Sequence, residues 1–346
     1  MVQTAFDTEP SHDIKSERDI HWSAFRFMLP ARLLDDKFAA LYRANKIHGG
    51  VFLGRGQEAL SAALGVSLQK GDVFAPLIRD AAGRLAFGET ILDSVRTYLG
   101  SPLGPMRGRD GNVHRGSPHD GLLPMISHLS AMISVVNGIL LARRFQKKFG
   151  TVGATCIGDG ATSTGAFHEA LNQAAVEKLP LVLIIADNQY AYSTPTSRQF
   201  ACESLADKAI GYGVDVQIID GTDFAACLKT AAQAVSRARQ GGGPQMIVAN
   251  LLRLCGHGEH DKADYVDPQL KNSQLGRDCL KVAEEFLLRR QWTTPSQLAA
   301  LREEIVHEIE IAVARVQREP APDPYEQEWR AIASQHLSEG QAGSLG

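Results

Sequence analysis

Residues 152–190 read VGATCIGDGATSTGAFHEALNQAAVEKLPLVLIIADNQY, and this stretch decides the fold. Two short apolar runs, Val152–Ile157 and Leu181–Ala186, flank residues 162–178. In that middle part Ala166, Phe167, Ala170, Leu171, Ala174 and Ala175 fall at helical spacing. Short apolar runs without polar alternation suit strands buried on both faces. Strand, helix and strand in this order form a βαβ unit with parallel strands. VDVQII (214–219), a helical stretch over 223–240 and QMIVANLL (245–252) continue the pattern. The expected class is α/β: a parallel sheet flanked by helices on both faces.

The same stretch carries chemistry. Gly158-Asp159-Gly160 lies where the first strand ends and a helix begins. Open α/β sheets bind ligands at the carboxyl ends of their strands. Glycines admit a ligand close to the backbone, and a helix N-terminus suits an anion such as a diphosphate. The second strand ends at Asp187-Asn188-Gln189-Tyr190. A right-handed crossover brings both strand ends to one edge. Asp159 and Asn188 then reach one hard cation, and magnesium typically takes one or two carboxylates plus phosphate oxygens.

Outward from this core the signals are simpler. Phe25, Met28, Leu29, Leu33, Leu34, Phe38 and Leu41 mark an amphipathic N-terminal helix, with Pro30 a candidate bend. A second helix is expected from Gly56-Gln57-Glu58. Residues 100–125 are dense in Gly, Pro and charge and read as a functional loop or a plain surface excursion. Residues 281–318 read as a charged helical extension, ended by Pro320, Pro322 and Pro324. The expected division is a polar leader over 1–20, one domain over 21–320 and a mobile tail over 321–346. A net charge of −3 argues against a nucleic-acid-binding surface. Five scattered cysteines without C-x-x-C spacing read as reduced thiols of a cytoplasmic protein. No apolar run is long enough to span a membrane.

GDG followed about thirty residues later by Asn resembles the thiamine-diphosphate motif. More narrowly, the sequence resembles the α subunit of the E1 component of 2-oxo acid dehydrogenase complexes. That family includes the pyruvate, branched-chain 2-oxo acid and acetoin enzymes. The resemblance runs from about Phe25 to Arg318. It includes GRGQEA (54–59), LIRD (77–80), RGRDGNVH (107–114), ISHLSA (126–131), ADKAIGYG (206–213) and LCGHGEHDKADY (254–265). It implies a thiamine-diphosphate-binding fold with magnesium held by Asp159, Asn188 and the Tyr190 carbonyl. It implies that Gly160, Ala161 and Arg79 touch the diphosphate. Ser127 and Leu129 would hold the aminopyrimidine ring through their backbone. His257 would sit near the diphosphate as a catalytic residue on a loop that orders with cofactor.

The resemblance also implies partners. A separate E1 β subunit would supply the glutamate that activates the cofactor, giving an α2β2 assembly. The acyl group of a small 2-oxo acid would pass to the lipoyl domain of an E2 acyltransferase. The sequence departs from the family at several points. Ile78 replaces a tyrosine, Ala186 an arginine of some relatives, and Asp187 an asparagine. Gly258 replaces a regulatory serine, and Ile126 and Ala131 replace hydroxyls of a potassium site. Three alternatives stay open: a split transketolase-like or non-oxidative thiamine enzyme, a degenerate scaffold subunit, and a metal cluster at His257, Glu259, His260 and Asp261. His128 either faces the cofactor or packs.

Overall fold

A computed structural model describes residues 16–109, 114–323 and 325. In chain order the helices are α1 (Glu17–Arg43), α2 (Glu58–Ser67), α3 (Ala81–Phe87), α4 (Ile91–Tyr98), α5 (Ala131–Phe145) and α6 (Gly165–Val176). They continue as α7 (Ala206–Gly211), α8 (Phe224–Arg239), α9 (Pro268–Lys271), α10 (Cys279–Arg289) and α11 (Pro295–Val316). The strands are β1 (Val73–Ala75), β2 (Gly153–Gly158), β3 (Leu181–Asp187), β4 (Tyr190–Ala191), β5 (Thr194–Pro195), β6 (Asp215–Asp220) and β7 (Gln245–Asn250).

Five strands form one parallel sheet in the order β1-β2-β3-β7-β6, while β4 and β5 make a small antiparallel hairpin. Side chains alternate across the sheet. Ala154, Cys156, Val182, Ile184 and Ala186 join one core with α1, α2, α8, α10 and α11. Ile157, Leu181, Leu183 and Ile185 join a second core with α5, α6 and α7. Burial on both faces explains the unbroken apolar runs. The register pairs Gly158 with Ala186 and Asp187 with Asn250. The strand ends therefore form one level edge, where β2 gives way to Asp159 and β3 to Asn188.

Three local features refine the sequence-based expectation. First, α1 runs through Pro30 as one helix, held by buried Phe25, Met28, Leu29, Leu34 and Phe38. It starts at Glu17 on a capping box between Ser16 and Asp19. Second, the C-terminal helical stretch is two helices. Gln291 at φ 56° turns the chain, and Thr294 and Gln297 cap α11, with Pro295 at its first position. Third, the Gly- and Pro-rich stretch is anchored at its end. Leu122 bridges both Phe74 and Ser117, and Leu122 and Leu123 are buried. Residues 110–113 and most of the segment 321–346 lie outside the described residues, as do residues 1–15 of the leader.

Candidate functional site

At the carboxyl edge, a cavity of about 440 Å³ opens above the ends of β2 and β3. β2 reaches it at Gly158. The chain then enters a 3-10 turn, Asp159–Ser163, and α6 begins only at Gly165. The sequence places a helix over 162–178; the 3-10 turn delays its start. The Thr162 hydroxyl donates to the Asp159 carbonyl at 2.7 Å and the Thr164 hydroxyl to the Ala161 carbonyl at 2.8 Å. Such side-chain bonds compete with helix formation. Gly160 is required by space: a Cβ there would lie 2.5 Å from the Ala191 Cβ of the β4–β5 hairpin.

Asp159 is 2% exposed, and its Oδ2 accepts from Gln199 Nε2 at 2.6 Å. Burial pushes its carboxyl up from the usual range, and the Gln199 bond opposes this. Asn188 is buried in the same wall, and its Oδ1 has no hydrogen-bond partner among the described residues. An orphaned amide oxygen is costly in a protein interior. Gln189 takes φ 74° and turns the chain, so that Tyr190 also lines the cavity. A carboxylate, an unpartnered amide oxygen and a nearby main chain form an oxygen set suited to a hard cation. The residues present therefore fit magnesium.

Two guanidinium groups face the same space. Arg79 donates to the carbonyls of Leu53 at 2.7 Å and His257 at 2.8 Å. Arg253, 3% exposed, donates to the carbonyls of Tyr190 at 3.0 Å and Tyr192 at 2.7 Å and to the Tyr265 hydroxyl at 2.6 Å. All these acceptors are neutral. Asp80 lies on the same wall, but burial pushes its carboxyl up, toward the neutral form, and one oxygen is taken by the Leu77 N–H at 2.7 Å. Two buried cations without carboxylate hydrogen-bond partners among the described residues favour an anionic ligand.

His257 stands against Tyr192 and Phe52, with ring centroids 4.4 and 5.4 Å away. Burial and then the charges of Arg79 and Arg253 push its imidazole down to about 4. It is neutral at pH 7. Its loop is fastened by Asp261, which accepts from the N–H groups of His257 at 2.6 Å and Ala263 at 2.9 Å and from the Tyr265 hydroxyl at 2.6 Å. Burial alone would raise the Asp261 carboxyl, but these donors hold it at about 2. Glu259 is paired with Arg43. Among the described residues no group of three His, Cys, Asp or Glu side chains is set to hold a metal.

The structure thus brings Arg79, Leu129, Asp159, Gly160, Ala161, Asn188, Tyr190 and His257 around one cavity. Ser127 stands outside its wall, exposed, with its hydroxyl 2.7 Å from His114 Nε2. His128 is exposed. Asp187 turns to a second cavity, and its Oδ1 accepts from Gln189 Nε2 at 3.0 Å. Sequence reasoning missed Arg253 and Gln199. Arg253 offered one signal: a lone arginine just past a buried strand, beside the recognised LCGHGEHDKADY segment.

The sequence is similar to known proteins along most of its length. Residues 26–325 match the family described as Dehydrogenase E1 component. The α subunit of acetoin:2,6-dichlorophenolindophenol oxidoreductase from Cupriavidus necator is 30% identical over 322 residues, covering 93% of this chain and 96% of that protein. The α subunit of 2-oxoisovalerate dehydrogenase from Bacillus subtilis is 34% identical over 239 residues, 68% of this chain and 72% of that protein. The pyruvate dehydrogenase E1 component subunit alpha of Porphyra purpurea is 29% identical over 302 residues, 86% and 88% of the two chains. The chain belongs to the dehydrogenase E1 component family.

Proposed function

Starting from that membership, we propose that this chain is an E1 α subunit that binds thiamine diphosphate and magnesium for oxidative decarboxylation of a 2-oxo acid or cleavage of acetoin. One observation carries the reading: the orphaned Asn188 Oδ1 shares a cavity with buried Asp159 and with two guanidinium groups that, among the described residues, hydrogen-bond only neutral oxygens. A magnesium diphosphate satisfies all of these groups together. Asp159, Asn188 and the Tyr190 carbonyl would hold the metal. Arg79, Gly160 and Ala161 would hold the phosphates. Bound there, the cofactor supplies an electron sink for the loss of carbon dioxide.

The chain's own residues do the rest. Neutral His257 offers a hydrogen bond beside the phosphates without adding charge. Leu129 and Tyr192, 56% and 48% exposed, form an apolar rim at the mouth. Ser127 and Leu129 would guide the ring end of the cofactor out of the cavity. An exposed apolar rim beside an active site favours a covering partner. We assign that role to an E1 β subunit in an α2β2 assembly, with a lipoyl domain of an E2 acyltransferase as acyl acceptor. No helix among the described residues is long and apolar enough to cross a membrane. The five cysteines are unpaired, which fits a cytoplasmic enzyme.

Calorimetry on the chain co-expressed with its β subunit tests this. Thiamine diphosphate should bind only with magnesium, and Asp159→Ala should abolish binding. A complex that binds no cofactor under these conditions supports the scaffold alternative and overturns the reading. A panel of 2-oxo acids and acetoin, with NADH formation in the reconstituted complex, then identifies the substrate.

A further inference from the structure

Gln57 belongs to the GRGQEA segment, and no role in the site has been assigned to it. Its side chain is 5% exposed and lines the cavity, and its Nε2 has no hydrogen-bond partner among the described residues. It stands at the N-cap of α2 yet makes no side-chain capping bond. A buried donor left unpaired is costly, so the arrangement points to an acceptor in the cavity.

The backbone around Gln57 packs against the segments that carry the two cations. Its N–H donates to the Gly54 carbonyl at 3.0 Å, closing a tight turn. A Cβ at Gly54 would meet the Arg79 carbonyl at 2.5 Å. A Cβ at Gly56, where φ is +93°, would meet the carbonyl of Leu252, the neighbour of Arg253, at 2.7 Å. The turn is therefore wedged between the segments bearing Arg79 and Arg253. Buried carboxylates pin it from behind: Asp35 accepts from Gly54 N–H at 2.6 Å and Glu58 from Gly56 N–H at 2.8 Å. On the same wall the side chains of Ile78 and Ala186 offer no donor.

We propose that Gln57 is a third side-chain donor, beside Arg79 and Arg253, to the diphosphate of the bound cofactor. This rests on the thiamine diphosphate reading above. A neutral amide adds a hydrogen bond without adding a third positive charge to a buried site.

The test is calorimetry of magnesium-saturated thiamine diphosphate on the α/β complex, with wild type, Gln57→Leu, Gln57→Asn and Gln57→Glu. Loss of one donor to a charged acceptor should raise Kd about tenfold in Gln57→Leu. Gln57→Glu should bind more weakly still, because a carboxylate would face the diphosphate. Unphosphorylated thiamine should bind wild type and variants alike, whereas a merely structural role would weaken both ligands. If Gln57→Leu does not fold, Gln57→Asn, which withdraws the amide by one methylene, carries the test in the same direction. Variants within about twofold of wild type for thiamine diphosphate overturn the inference alone. A wild-type complex that binds no cofactor overturns the reading beneath it, and the inference with it.

Discussion

Two cavities of similar size open at the carboxyl edge of the sheet, about 440 and 470 Å³, and they differ in charge. The first holds the guanidinium groups of Arg79 and Arg253 beside Asp159. The second is lined by Asp187 and Glu203 and, among the described residues, by no lysine or arginine. The consecutive residues Asp187 and Asn188 divide between them. Proximity in sequence is thus a poor guide to shared chemistry at a strand end, because successive side chains take opposite sides. The unpartnered amide of Asn188 goes to the cation-rich cavity, and the carboxylate of Asp187 stays with its own Gln189 bond.

The largest effect is expected at the first cavity. Asn188→Ala removes the orphaned oxygen itself. Magnesium-dependent cofactor affinity should fall at least about 100-fold, the upper end of what outer-sphere partners of metal sites are worth. Calorimetry over a magnesium series measures this, and retained tight binding would remove Asn188 from the metal site. Arg253→Met should come next. It deletes one buried cation and frees the Tyr190 and Tyr192 carbonyls. A loss of about 30-fold follows from ~2 kcal/mol for a charged hydrogen bond. An unchanged Kd would mean that Arg253 only braces the hairpin.

Titration of His257 sharpens the contrast in charge. Burial, Arg79 and Arg253 hold its imidazole at about 4. A bound diphosphate brings negative charge to the same groups, so the histidine should become easier to protonate. Its titration should move up by about one unit, equivalent to ~1.4 kcal/mol. Histidine NMR with and without inorganic diphosphate, assigned with His257→Asn, reads the shift. No movement would place the anion elsewhere. The sign for stability also follows. A depressed histidine contributes stability that is present above the ordinary range, and this is lost as pH falls from about 6.5 toward 4.

The parallel sheet was legible because β2 and β3 are uniformly apolar and are separated by one helix-length segment. Asp159 and Asn188 were legible because a βαβ unit returns to the same edge. β1 was not, since three residues, Val73–Ala75, carry too little pattern. The break between α10 and α11 hid in charged helix-forming sequence, where only Thr294-Pro295 marks a new start. Gln57 and Gln199 were illegible, and Arg253 nearly so, for a common reason. Each acts through its burial and hydrogen-bond partners, or lack of them, and those are fixed by chain segments that are far apart in the sequence.

The smallest effect tests the division itself. Asp187→Asn removes a carboxyl group that burial, and after it the charge of Asp159, push up to about 6. If the second cavity is separate from the metal site, the substitution keeps the Gln189 contact within reach of an amide oxygen and leaves Asp159 and Asn188 in place. Cofactor affinity should then change by no more than about threefold, the scale of a screened charge one residue removed from the ligands. Removing a neighbouring negative charge weakens attraction for a cation, so the small change should be a loss. A loss as large as that of Asn188→Ala would show that the Asp187 carboxylate serves the metal directly. The two cavities would then be one functional unit, with the strand end contributing both of its oxygen-bearing side chains.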